Sequence, residues 1–247
     1  MPSEWELVSS YLQHAAQYCI SSLTLAELLV GLANGASPYF DQHQRRLRLL
    51  LGPSPEPEVF DFIPYFVAPR LGLNIERPSG LEGDFLGTIN LILSAGSKDE
   101  LTKRFPIEKI AKELAETKTR YTEFMTGRNN YLNGRQISPD VWASHILRFY
   151  GMSGDSVALA EVVKRLSANY EFEVYVSNLV RNDNFAISEH TTDLIDVQQL
   201  CYLCDPTVVF ITNDSDFKNR TRKSAQANRI KTFNELLACA RCKSPLL

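Results

Sequence analysis

Apolar residues recur at three- and four-residue steps along most of this chain, which predicts a helix-rich fold. Trp5, Val8, Leu12 and Ala15 mark an amphipathic helix over 4–17. Tyr18, Cys19, Ile20 and Ser21 follow as a short strand. Thr24, with Glu27 three residues on, has the form of a capping box. It opens a helix whose apolar face is Leu25, Leu28, Leu29 and Leu32, and Gly35 can stop it. A further helix is expected over 38–51, with Arg45, Arg46 and Arg48 on a solvated face. The stretch GPSPEP at 52–57 is a loop, and 77–83 is a second one. Between them, 60–73 is apolar but broken by Pro64 and Pro69, so short helices or irregular structure are expected. Residues 84–95 pattern as a helix. The strongest pattern spans 106–126, with Pro106 in the first helical position and Ile107, Ile110, Ala111, Leu114, Tyr121 and Met125 on one face. Glu108 with Lys112, and Glu116 with Arg120, have i,i+4 spacing on the other face. The stretch GRNNYLNG at 127–134 should end it. Two more helices are expected over 139–150 and 155–168.

The pattern changes near the C-terminus. Val208, Val209, Phe210 and Ile211 are an unbroken β-branched and aromatic run, as in a strand buried on both faces of a parallel sheet. Asn213, Asp214, Ser215 and Asp216 come next, where that strand must stop. Ligands of open α/β sheets sit outside the carboxyl ends of strands, so Asp214 and Asp216 occupy a favoured place for a site. Asp193 and Asp196 begin the preceding helix, whose apolar positions are Leu194, Ile195, Val197, Leu200 and Leu203. Ile230 marks a short last strand, and Thr232 with Glu235 forms a second capping box before Phe233, Leu236 and Leu237. The expected strands therefore lie near the two ends, with 36–150 as helical elaboration between them.

Composition narrows the functional classes only a little. The 247 residues are 44% hydrophobic and 22% charged, with a net charge of −3, so nucleic-acid binding has to rest on a local patch. Such a patch exists. The segment 218–231 carries six cations (Lys218, Arg220, Arg222, Lys223, Arg229 and Lys231) and no acid. No apolar run has the roughly 20 residues a membrane span needs. The N-terminal stretch lacks the basic and apolar regions of a signal peptide, so a cytoplasmic address is the default expectation. Four of the five cysteines form two C-x-x-C pairs, Cys201 with Cys204 and Cys239 with Cys242. Zinc knuckles set such pairs in turns, whereas these sit in helical patterns, so they are read as small buried residues in reduced form. The histidines His14, His43, His145 and His190 show no ligand spacing.

Three stretches together resemble the PIN-domain family of metal-dependent ribonucleases: ISSLTLAELLVGL at 20–32, DLIDVQQLCYL at 193–203 and VVFITNDSDF at 208–217. RIKTFNELL at 229–237 is similar to that fold's last strand and helix. The resemblance implies an α/β protein, a small parallel sheet in a three-layer α/β/α sandwich. It would be one discontinuous domain over about 1–35 and 151–247, with the helical stretch 36–150 inserted. It also implies Mg²⁺ or Mn²⁺ held by Glu27, Asp196 and Asp214 as catalytic acids, with Asp216 close by and Asp193 as the alternative to Asp196. Such ions lower the pKa of bound water and neutralise charge on the phosphate. The basic segment, through Lys218, Arg220, Arg222 and Lys223, would hold the RNA backbone. The chain departs from the family at its start, where a strand ending in an Asp is expected and 4–17 patterns instead as the helix that would follow it. That departure motivates an alternative, a PIN-like RNA- or protein-binding module without catalysis. A homodimer and a protein partner are further implications of the resemblance.

Overall fold

Serine side chains cap several helices of this chain, Ser97 accepting from the Glu100 amide and Ser138 from the Val141 amide, and apolar stripes bury them. The structure is a computed structural model that describes residues 3–15, 19–34, 40–42, 44–45, 48, 58–77, 85–133, 135–152, 159–182, 197–212 and 215–245. In chain order these form α1 (Glu4–Ala15), β1 (Cys19–Ser21), α2 (Ser22–Asn34), β2 (Glu58–Phe60), α3 (Ile63–Arg70), α4 (Phe85–Ser94), α5 (Lys98–Arg104) and α6 (Ile107–Leu132). Then follow α7 (Pro139–Phe149), α8 (Leu159–Arg165), α9 (Ser167–Asn182), a 3₁₀ turn (Leu200–Cys204), β3 (Phe210–Thr212), α10 (Ser215–Arg220), β4 (Ile230–Thr232) and α11 (Phe233–Cys242). The fold is mixed α/β and helix-rich, with short parallel strand pairs. No helix of the described residues is long and apolar enough to cross a membrane.

Two compact units divide the chain. The first gathers Met1–Asp61, Pro78–Glu116 and Asn234–Leu246, and the second gathers Phe62–Arg77 and Thr117–Phe233. In the first unit β1 pairs with β2 in parallel, Ile20 opposite Val59. Its core joins Leu25, Leu29 and Leu32 of α2 to Ile89 and Ile92 of α4 and to Leu101 of α5. Gln44 reaches into it, its amide nitrogen donating to the carbonyls of Ile92 (2.8 Å) and Ala95 (2.7 Å). In the second unit β3 pairs with β4 in parallel, Ile211 opposite Lys231. Its core collects Tyr121 and Met125 of α6, Phe172 and Val176 of α9, Val197, Leu200 and Leu203, with Phe217 of α10 and Ile230 of β4.

Several local expectations are corrected. No strand is expected between the loop at 52–57 and the broken apolar stretch at 60–73, yet β2 lies at Glu58–Phe60, well away from the chain ends. α2 begins three residues early, at Ser22. The Ser21 hydroxyl accepts from the Thr24 amide at 2.9 Å, so Ser21 acts as the cap and Glu27 falls in the second turn. α6 runs straight through Gly127 to Leu132, because a single glycine costs a long, well-packed helix only about 1 kcal/mol. It ends where Asn133 takes a φ of +46°, a left-handed cap that asparagine tolerates. The ion pairs on its exposed face keep the i,i+4 spacing but change partners: Lys109 meets Glu113 and Lys112 meets Glu116, both at 3.8 Å. β3 is not buried on both faces, since Ile211 is 43% exposed and the strand shows an intermediate–exposed–intermediate pattern. One face packs, through Phe210 on Phe217 (5.6 Å between rings), and the other carries the exposed Ile211.

Candidate nucleic-acid interface

The residues expected to form a site fall in different places. Glu27 is half-buried on α2 in the first unit. Asp193, Asp196 and Asp214, like His43, His190 and Arg46, lie outside the described residues. Asp216 is the second residue of α10 in the second unit, directly after the carboxyl end of β3. Lys218 and Arg220 follow on α10, and Arg222 and Lys223 occupy the turn beyond it. Among the described residues, no group of three His, Cys, Asp or Glu side chains could hold a metal ion. The two C-x-x-C pairs belong to different units. Cys201 and Cys204 are buried, as expected, in the 3₁₀ turn rather than mid-helix, whereas Cys242 is exposed.

What the second unit does assemble is a basic cleft of about 630 Å³ between α9 and the turn after α10. Glu171, Tyr175 and Asn178 line one wall, one stripe of α9 at helical spacing. Arg220, Arg222 and Lys223 line the other. Lys218 is not among the described residues of its lining. The Arg220 guanidinium lies 5.5 Å from the ring centroid of Phe172 and 5.7 Å from that of Tyr175. Phe172 is fully buried and Tyr175 is 40% exposed, so Arg220 is steered by a core ring beneath and a surface ring beside it.

The basic turn is held by its neutral neighbours. Buried Thr221 donates its hydroxyl to the carbonyls of Phe217 (3.2 Å) and Lys218 (3.1 Å), closing α10. The hydroxyls of Ser224 and Ser167 meet at 2.9 Å. Gln226 accepts from the Ala168 amide at 2.9 Å and donates to the carbonyls of Arg165 (2.6 Å) and Leu203 (2.8 Å). Arg229, one of the six cations, is committed to the fold. Its guanidinium donates to the carbonyls of Asp205, Val208 and Leu203 at 2.6, 3.0 and 2.7 Å. Arg222 and Lys223, by contrast, are exposed. The segment is thus an anchored loop that presents two exposed cations and Arg220 along one side of a cleft. The wall supplied by α9 carried no expectation from sequence, because its alternation of Glu171, Phe172, Glu173 and Val174 masks the helical stripe.

No protein-family model matches the chain, and neither a curated protein nor a solved structure matches it.

Proposed function

We propose that this chain is a PIN-like protein that acts on RNA, with single-stranded RNA held along the basic cleft of the second unit. The observation that carries the reading is the pairing of Arg220, Arg222 and Lys223 with the exposed ring of Tyr175 across one cleft. Cations track a phosphate backbone and aromatic rings stack unpaired bases, the combination that single-stranded nucleic acid requires. The position of Asp216 just past the end of a parallel strand supports an enzymatic form of the reading. In that form Asp196 and Asp214, with Asp216 close by, would hold Mg²⁺ or Mn²⁺, and the ion would supply the activation of water for phosphodiester hydrolysis. Among the described residues, no three His, Cys, Asp or Glu side chains form a metal site on their own.

The second reading is RNA binding without cleavage. The described lining of the cleft favours it, since Glu171 is its sole carboxylate among the described residues. The experiment that separates the two is cleavage of a mixed single-stranded RNA with Mn²⁺ or with EDTA, by wild type and Asp214→Asn. Cleavage that needs both the metal and Asp214 is expected for the enzyme. Retained binding with no cleavage by a folded wild type would establish the binding module instead. Equal cleavage by wild type and variant would falsify the carboxylate assignment.

A further inference from the structure

A second cavity, of about 340 Å³, lies against the first in the same unit. The two share Val174 and Asn178 as lining residues, so α9 forms a common wall. Their linings differ in chemistry. The cleft gathers three cations, Arg220, Arg222 and Lys223, whereas the second cavity has one, Arg135, beside five amides and one hydroxyl, from Asn129, Asn130, Asn133, Gln136, Asn178 and Ser177. Two of these side chains are incompletely satisfied by the fold. Among the described residues, the Asn129 side-chain nitrogen and the Ser177 hydroxyl are buried with no hydrogen-bond partner. A buried polar group without a partner costs roughly 1–3 kcal/mol. Two of them on the wall of one cavity indicate a polar ligand that supplies what the fold withholds.

We infer that this cavity is a base-recognition subsite that takes an adenine-type base of the RNA whose phosphates lie in the adjoining basic cleft. This rests on the RNA-binding reading above and names what that site selects. A primary amide presents a donor and an acceptor side by side, the complement of adenine's exocyclic amine and neighbouring ring nitrogen. The cavity is large enough for a purine ring. Turned toward a base seated there, Asn129 Nδ2 would donate to a ring nitrogen and Ser177 Oγ would accept from the exocyclic amine. The shared wall at Val174 and Asn178 lets one nucleotide place its phosphate among Arg220, Arg222 and Lys223 and its base among the amides.

The test is equilibrium binding of two short labelled RNAs, oligo(A) and an oligomer of purine riboside. The second keeps the stacking face of a purine and lacks the exocyclic amine. Wild type should bind oligo(A) about tenfold more tightly, the discrimination one well-placed pair gives. Asn129→Ala with Ser177→Ala should bring that ratio to near one. Because this variant removes unpartnered groups, its thermal midpoint should stay at or above that of wild type. The exposed single variant Asn130→Ala should lower the ratio in part, without depending on core packing. Arg222→Ala with Lys223→Ala should weaken both oligomers alike and keep the ratio. Equal binding of the two RNAs by wild type, or a ratio that survives every amide variant, overturns the subsite while the RNA-binding reading stands. Binding of neither RNA overturns that reading, and the subsite with it.

Discussion

At the scale of single residues, the second unit is built around a buried charge. Glu173 and Arg128 have side chains only 1% exposed and meet as an ion pair. Glu173 also accepts from the Tyr121 hydroxyl and, at 2.8 Å, from the Trp142 indole nitrogen. Burial and the Glu173 charge push the Tyr121 hydroxyl pKa well above its ordinary value, so it remains a donor. The Arg128 contact is close but poorly directed, since its Nε and Nη1 make no aligned hydrogen bond among the described residues. Removing one partner of such a pair leaves a bare buried charge, which costs about 3–5 kcal/mol. Glu173→Gln is therefore expected to lose stability on that scale in urea unfolding, and a loss below about 1 kcal/mol would contradict the clamp. None of this was legible in sequence, where Glu173 sits between aromatic and β-branched residues as any surface acid of a strand would.

His145, near Arg128, responds to pH in a defined direction. Burial, then the charges of Arg128 and Arg148, hold its pKa below the ordinary 6.5, with Glu173 opposing them. The unfolded chain therefore binds this proton more tightly than the folded one does. The neutral ring's contribution is complete above pH 6.5 and is lost as the pH falls through the lowered folded value. The urea midpoint of wild type should fall between pH 7.5 and pH 5 by more than that of His145→Gln. An identical fall in both proteins would remove His145 as the cause.

At the scale of elements, periodicity located most helices and missed their limits. α4, α6 and α7 were legible because their apolar stripes are regular, but the end of α6 is set by Asn133 and not by the glycine at 127. β2 was illegible because three residues after a proline-rich run carry no period, and only pairing with β1 makes them a strand. The second capping arrangement fits better, since Thr232 precedes α11 and Glu235 lies in its first turn. For the strand pair β3–β4, Arg229 is the tie that matters most. Its three carbonyl partners come from the 3₁₀ turn and from the segment leading into β3. Arg229→Ala strips those carbonyls of a charged donor, and the loss of such hydrogen bonds is expected to cost about 2–3 kcal/mol. Amide exchange should quicken at Phe210–Thr212 and Ile230–Thr232 before it changes in the first unit. A uniform acceleration across the chain would argue against a local tie.

At the scale of the whole molecule, each unit is assembled from separated stretches. The chain crosses between units after Asp61, Arg77, Glu116 and Phe233, one crossing falling within α6. A sequence pattern is local, so it exposed the cations at 218–223 as a run and left their partners on α9, some 45 residues upstream, unmarked. Asp196 and Asp214 were marked by a helix start and a strand end, with the resemblance supplying their roles, whereas the cleft comes from the packing of α9 on α10. Electrostatics tie these scales together, because a net charge of −3 offers no general attraction for RNA. Binding must then depend on the few cations of the cleft and carry their signature in salt. Each phosphate neutralised on a single strand lowers log K with log salt by about 0.7, so Arg220, Arg222 and Lys223 together predict a slope near −2. Arg222→Ala with Lys223→Ala should bring it to about −0.7, with affinity falling most at low salt. Lys218→Ala, outside the described lining, should leave the slope unchanged. A wild-type slope that the double variant does not alter would mean that the RNA lies elsewhere on the molecule.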